Sequence, residues 1–144
     1  MARNVREVMT ARPRTLKASD PVVDAARLMR DDNVGSLPVV EDGRLVGMIT
    51  DRDIATRVVA EGAEVETTQV DSVYTRDPVT IGPDEDLDEA LRLMARHQVR
   101  RLPVVEGDRL IGIVAQADVA REEKEKKTGE LVEAISEPSE TERR

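Results

Sequence analysis

Most of this chain consists of two copies of one sequence pattern. When the 144-residue sequence is shifted against itself by 65 residues, positions 3–57 align with positions 68–122 without a gap. Twenty of the 55 aligned positions are identical, among them Leu37–Glu41 and Leu102–Glu106. A fixed period marks a repeated structural unit, and two copies are too few for a solenoid. The sequence therefore predicts a pair of modules related by an approximate twofold axis.

Both copies show the same order of predicted elements. A short extended piece precedes apolar residues at helical spacing, and two apolar strands then flank a tight-turn dipeptide, Asp42-Gly43 or Gly107-Asp108. A second helix is predicted from Asp51 in the first copy and from about Gln116 in the second. The pattern predicts an α+β fold made of two tandem β-α-β-β-α modules.

The repeat also predicts the domain organisation. We place module 1 at residues 1–62, module 2 at residues 63–122, and a charged C-terminal helix and tail at residues 123–144. From Ser136 onward the chain contains only Ser, Glu, Pro, Thr and Arg, so we expect a frayed end.

The composition excludes several classes of function. The chain has no Cys and a single His, His97, which excludes a disulfide scaffold and a thiolate or His-rich metal site, and no nucleophile–base set is evident. A net charge of −8 and one aromatic residue, Tyr74, argue against binding to nucleic acid. No apolar run approaches the ~20 residues that span a bilayer, and no signal peptide is visible. We expect a cytoplasmic, non-enzymatic protein without metal, membrane or nucleic-acid partners.

One motif lies where a predicted strand meets a helix. Thr50 and Asp53 fall at the beginning of the helix, where free backbone N–H groups and the helix dipole favour a phosphate. Thr50 could donate its hydroxyl to that phosphate, and Asp53 could accept hydrogen bonds from a ribose diol. The same Thr-x-x-Asp spacing is also typical of a capping box that stabilises the helix alone. The residues themselves leave both interpretations open.

These motifs together resemble a known family. Two β-α-β-β-α modules, each with Leu-Pro-Val-Val and with a Gly-h-h-[Thr/Ser]-x-x-Asp-h junction, resemble the tandem CBS-domain pair, or Bateman module, of stand-alone bacterial CBS-domain proteins. The resemblance covers about residues 5–122. It implies a flat, disc-like homodimer that binds adenosine compounds in clefts between the modules.

The resemblance implies a first, preferred nucleotide cleft. Thr50 and Asp53 would face the second module, Met48 would pack on the base, and two adjacent arginines would contact phosphate. The residues expected in this first cleft are Met48, Thr50, Arg52, Asp53, Val79, Thr80, Val99, Arg100 and Arg101.

A second cleft is expected to be weaker. Ala115 replaces the Thr/Ser of the motif, and Gly35-Ser36 replaces the arginine pair, so Arg14 is the only evident cation. Loss of a charge-assisted hydrogen bond costs about 1.5–3 kcal/mol, which lowers affinity more than tenfold. The residues expected in the second cleft are Pro13, Arg14, Val34, Gly35, Ile113 and Asp118.

These features predict a regulatory module. The expected ligand is an adenine nucleotide such as AMP, ADP or ATP, with NAD(H) or S-adenosylmethionine as further adenosine ligands, and no cofactor is required. Ligand would change the relative orientation of the modules and so alter a dimer surface or a contact with an unknown protein partner in trans. The alternative is a constitutive dimeric scaffold with no physiological small ligand.

Overall fold

A computed structural model describes the backbone of residues 3–135 and the side chains of residues 3–125. Apart from a short N-terminal helix that the repeat does not predict, the helices and strands follow the predicted order, β-α-β-β-α, in each half. The helices are α1 (Val5–Val8), α2 (Val22–Asp32), α3 (Asp51–Ile54), α4 (Leu87–His97) and α5 (Gln116–Ile135). The strands are β1 (Thr10–Ala11), β2 (Ser36–Glu41), β3 (Arg44–Thr50), β4 (Thr75–Arg76), β5 (Arg101–Glu106) and β6 (Arg109–Ala115).

Two short helical segments complete the first module and the linker. The helix α3 continues as a π-helical turn over Ala55–Val59, and a 3₁₀ turn spans Val70–Ser72. In the second module the corresponding helix, α5, runs on to Ile135. The predicted frayed end from Ser136 lies outside the described residues.

The sheet is built from two hairpins that meet at their tips. Strands β2 and β3 pair antiparallel, as do β5 and β6, and β3 meets β6 where Arg44 faces Arg109. The first turn has positive φ at both Asp42 and Gly43, and the second has positive φ at Gly107, as expected for the tight turns that match strand twist. The amide of Leu45 also donates to the carbonyl of Asp108 (2.9 Å), which joins the two hairpins.

Each module has its own aliphatic core. The first core packs α2 and the first hairpin around Ile49, and the second packs α4 and the second hairpin around Met94. Both cores lack Phe and Trp, so branched aliphatic and Met side chains fill them. The fold is thus the predicted α+β pair of modules.

The entry segment of each repeat packs on the opposite module. Val5, from α1, is fully buried in the second core, whereas its repeat equivalent Val70 is fully buried in the first. Backbone hydrogen bonds hold both segments: the Val5 amide donates to the Glu85 carbonyl (2.9 Å), and the Val70 amide donates to the Asp20 carbonyl (2.8 Å). The two modules therefore cannot separate without opening both cores.

The exchange continues into the short strands. Strand β1 pairs with β6 of the second module, and β4 pairs with β3 of the first. The chain that follows each short strand is thereby placed beside the end of a long strand from the other half of the sequence. The predicted domain boundaries, 1–62, 63–122 and 123–144, follow the sequence repeat and remain a prediction. The packing groups the chain differently, because each entry segment is buried in the core of the opposite module.

No helix in the described part of the chain is both long enough and apolar enough to cross a membrane.

The approach of β4 to β3 depends on one glycine. A Cβ added at Gly47 would lie 2.5 Å from Tyr74 Cδ2 and 2.7 Å from the Thr75 carbonyl oxygen, closer than real Cβ contacts. At Gly82, which lacks positive φ, the nearest atom to an added Cβ is 3.9 Å away.

We predict that Gly47→Ala lowers the free energy of unfolding by about 1–3 kcal/mol, because the methyl group forces β4 away from β3. The matched control Gly82→Ala should change it by less than about 0.5 kcal/mol. Urea denaturation followed by circular dichroism measures both values, and equal effects of the two substitutions would contradict the close approach.

Candidate functional site

A large cleft lies at the C-terminal ends of β3 and β6, between the modules. Its volume is about 1160 Å³, slightly above the range of about 300–1000 Å³ that is usual for small-ligand sites. The segment after β4 forms one wall, and the turn between α4 and β5 forms another. We call this space cleft 1. Its walls come from both halves of the sequence because the entry segments are exchanged.

Two backbone hydrogen bonds fix the floor of this region. The Asp51 amide, at the start of α3, donates to the Gly35 carbonyl (2.9 Å), and the Gln116 amide, at the start of α5, donates to the Arg100 carbonyl (2.8 Å). Each bond holds the residue before a long hairpin against the helix that follows that hairpin. Arg100 and Arg101 are thereby placed beside cleft 1.

Six of the nine residues predicted for the first cleft line cleft 1, and three do not. Those that line it are Met48, Thr50, Val79, Val99, Arg100 and Arg101. Arg52 is exposed and Thr80 is half-buried, and neither lines a cleft. Asp53, taken as a whole residue, is only 8% exposed and does not line cleft 1.

Thr50 and Asp53 form a complete capping box. Thr50 Oγ1 accepts a hydrogen bond from the Asp53 amide (3.0 Å), and Asp53 Oδ2 accepts one from the Thr50 amide (2.9 Å). The other carboxylate oxygen of Asp53 lies 3.9 Å from Arg57 Nε. The structure therefore contains the capping box that the motif allowed. A ribose contact by Asp53 remains a prediction.

Cleft 1 contains two arginines that lack an acidic partner within residues 3–125. Neither Arg100 nor Arg101 has a carboxylate within 4.0 Å there, whereas the acidic residues at the start of α4 pair elsewhere, Asp84 with Arg6 (3.6 Å) and Glu89 with Arg92. Asp51 and Asp77 are the acidic residues in the lining. The arginines are thus available to an anionic ligand.

Sequence reasoning missed part of the wall. His97 and Gln98, at the C-terminal end of α4, line cleft 1. Gln98 ends the helix in the left-handed conformation (φ 57°), as its repeat equivalent Asn33 does (φ 55°). Gln98 directly precedes the predicted Val99, as Asn33 directly precedes the predicted Val34, so the repeat could have indicated this position. No motif in the sequence marks His97.

A second space, cleft 2, has a volume of about 310 Å³ at the end of β6. Five of the six residues predicted for it line it: Pro13, Arg14, Val34, Ile113 and Asp118. Gly35 lines cleft 1 instead. The expectation that Arg14 is its only cation is wrong, because Arg12 and Arg101 also line it. Arg12 was missed because it lies one residue before the predicted segment, and Arg101 because it was assigned to the first cleft alone.

Asp118 differs from Asp53 in its environment. Ala115 precedes α5 where Thr50 precedes α3, so a capping hydroxyl is missing. The Asp118 side chain is 32% exposed, compared with 11% for Asp53, and pairs with Arg121. Asp118 therefore offers part of its carboxylate to cleft 2.

Among the residues that the structure describes, no cluster of three or more His, Asp and Glu side chains is arranged to hold a metal ion.

Comparison with known proteins identifies the family. CBS domains match at residues 5–60 and again at residues 70–125. The CBS domain-containing protein YhcV of Bacillus subtilis (strain 168) is 44% identical over 117 residues, which cover 81% of this chain and 83% of the relative. The chain belongs to the CBS domain family and carries two such domains in tandem.

Solved structures of CBS pairs have the same fold. The CBS domain pair of protein MJ0100, in complex with 5′-methylthioadenosine and S-adenosyl-L-methionine, has a TM-score of 0.76 at 29% identity and covers 88% of this chain and 99% of its own. CBSX2 of Arabidopsis thaliana, in complex with AMP, has a TM-score of 0.74 at 30% identity and covers 86% and 98%. The predicted family and the predicted α+β fold class are confirmed. The tandem CBS pair of this chain is a regulatory module rather than a catalytic one.

We predict opposite stability effects at the two equivalent cap positions. Thr50→Ala removes the capping hydroxyl and should lower the free energy of unfolding by about 0.5–2 kcal/mol, whereas Ala115→Thr should raise it by a similar amount, because a hydroxyl can then accept from the Asp118 amide.

Thr50→Ser keeps the hydroxyl and serves as the control for the first substitution. Urea unfolding of the three variants measures the changes. A destabilising effect of Ala115→Thr would contradict the equivalence of the two positions.

Proposed function

We propose that this CBS pair binds an adenosine-containing ligand of the AMP, ADP and ATP class in cleft 1 and acts as a sensor. The observation that carries the proposal is that three hydrogen-bond donors line this cleft: Arg100, Arg101 and the hydroxyl of Thr50. Thr50 Oγ1 accepts from the Asp53 amide, and no acceptor within residues 3–125 takes a hydrogen bond from this hydroxyl. These donors suit the phosphate of a nucleotide.

The apolar part of the cleft suits the base. Met48, Val79 and Val99 line the same space as the arginines, and Val99 is 37% exposed. A bound adenine would cover this apolar surface, which supplies binding free energy in proportion to the area removed from water. The AMP complex of CBSX2, a protein of the same fold, supports the same ligand class here.

Regulation would follow from the position of the cleft. Thr50 ends the first hairpin, whereas Arg101 begins the second and Arg100 directly precedes it, so a bound phosphate would connect the modules. A ligand shifts a conformational equilibrium by the difference between its affinities for the two states. The proposed readout is a change in the surface presented to a second copy of the chain or to a protein partner in trans.

Calorimetry of nucleotide-free protein tests the proposal, with AMP, ADP, ATP, NADH and S-adenosylmethionine as separate titrants. A ligand at 100 times its dissociation constant should add about 2.7 kcal/mol to the free energy of unfolding. Circular dichroism should follow the melt, because the chain has no Trp. Absence of both heat and melting shift for the whole panel would contradict the proposal and favour the scaffold alternative.

We predict that Arg100→Met weakens binding of the preferred nucleotide by at least tenfold, because it removes a charge-assisted hydrogen bond to phosphate. Arg96→Met is the matched control, since Arg96 is exposed in the last turn of α4 and lines neither cleft. Calorimetric dissociation constants measure the effect, and equal losses for the two variants would show that the loss reflects net charge alone.

Asp53→Ala separates a ligand role from the capping role. Whether or not Asp53 contacts the ligand, loss of the cap should lower the free energy of unfolding by about 0.5–2 kcal/mol. A ribose contact adds a second effect, the loss of nucleotide binding by a protein that still melts cooperatively. Unchanged affinity in the folded variant would restrict Asp53 to positioning Thr50.

A further inference from the structure

One arginine connects two walls of cleft 1 without lining the cleft itself. Arg57 lies in the π-helical turn that follows α3 and is absent from the lining of both clefts. Its Nη1 donates to the Val73 carbonyl (3.2 Å), and its Nε lies 3.9 Å from Asp53 Oδ1. Residues at i,i+4 spacing are neighbours on a helix surface, which allows the contact with Asp53. Arg57 therefore bridges the start of α3 and the segment that precedes β4.

The Asp53 end of this bridge leads to a group proposed to contact the ligand. Asp53 Oδ2 accepts a hydrogen bond from the Thr50 amide (2.9 Å), so the carboxylate lies between Thr50 and Arg57. The Asp53 side chain is mostly buried, and its attraction to a nearby cation is screened less by salt than that of an exposed pair. Arg57 thus helps to fix the carboxylate that holds Thr50 at the edge of cleft 1.

The Val73 end of the bridge leads to the opposite wall. Val73 is 6% exposed in the first core, and no backbone N–H within residues 3–125 donates to its carbonyl. A buried carbonyl without a donor is costly, so the bond from Arg57 stabilises this position of the chain. Strand β4 begins two residues later, and Thr75 and the residues at 77–79 line cleft 1. The arginine therefore holds the beginning of this wall against α3.

The equivalent position of the second module forms a different contact. Glu122 corresponds to Arg57 in the repeat and pairs with Arg3, two residues before α1, at 2.9 Å. Asp118, the motif aspartate of the second module, pairs with Arg121. Both modules use this helix position to hold the entry segment of the other half. Within residues 3–125, however, the first module alone connects that segment to its motif aspartate.

We infer that Arg57 is a positioning residue for cleft 1 and that it couples nucleotide binding to the entry segment of the second repeat. Arg57 makes no contact with the ligand; it keeps Thr50 and the wall after β4 at the spacing that the ligand requires. Without the bridge, a smaller fraction of the protein has the cleft in its binding conformation, and the apparent affinity falls by that fraction. This role rests on the proposed nucleotide site in cleft 1.

Calorimetric titration of AMP into Arg57→Met protein tests the positioning role. The apparent dissociation constant should rise by about three- to tenfold, since the variant loses the bridge but no ligand contact. Glu122→Gln removes the ion pair at the equivalent position of the second module and should leave the affinity for AMP unchanged. Arg27→Met is the control for the loss of one positive charge, because Arg27 is exposed on α2 and lines neither cleft.

The outcomes separate this role from the proposed function. Wild-type affinity in a folded Arg57→Met protein would overturn the positioning role and leave the nucleotide site intact. An equal loss of affinity in Arg27→Met or in Glu122→Gln would also overturn it, because net charge or general loosening of an entry segment would then explain the effect. Failure of the wild-type protein to bind AMP would instead overturn the proposed function, and the role of Arg57 with it.

Hydrogen exchange provides a readout that loss of stability alone does not change. The Tyr74 amide donates to the Val70 carbonyl (3.0 Å), and Tyr74 does not line cleft 1, so its exchange reports on the entry segment of the second repeat. The Val5 amide, in the other entry segment, is the reference for global opening. In wild-type protein, saturating AMP should slow exchange at least about threefold more at Tyr74 than at Val5. In AMP-saturated Arg57→Met the two amides should slow by the same factor, and an undiminished difference between them would contradict the coupling.

Discussion

Val5 and Val70 occupy equivalent positions in the repeat, and each is buried in the core of the opposite module. This exchange of entry segments determines how the two halves of the chain pack together. It joins the two cores, directs β1 onto β6 and β4 onto β3, and places the chain after each short strand beside a strand end of the other half. Both clefts follow from it, because each has walls that the two halves supply together.

The two modules share a core pattern but differ where they line the clefts. The buried Leu-Pro-Val-Val strands are identical, whereas Thr50 corresponds to Ala115, and Ser36 corresponds to Arg101. Core positions of a repeat are fixed by the same packing requirements, but residues at a cleft can change without loss of the fold. The substitutions give the pair one capped and one uncapped helix start, and they place a single arginine at the boundary between two unequal clefts.

The fold could be predicted from the sequence because period, turn dipeptides and apolar spacing all indicate the same module. The site was predictable in part. Thr50, Arg100 and Arg101 were found at a strand end and a cleft wall, as expected from the motif and the resemblance. The burial of Asp53 could not be predicted, because a Thr-x-x-Asp spacing fits a helix cap and a ligand site equally well. Sharing of Arg101 was not predictable either, because it depends on how closely two clefts approach in three dimensions.

Amide chemical shifts of ¹⁵N-labelled protein test whether a nucleotide phosphate binds at Thr50, Arg100 and Arg101, as proposed. Addition of AMP should cause saturable shifts that are largest for the amides of these three residues and for those of the neighbouring cleft wall at Val79 and Val99. The exposed turn at Gly62 should stay unchanged. An unchanged spectrum at millimolar AMP, or shifts that are largest away from cleft 1, would contradict phosphate binding in cleft 1.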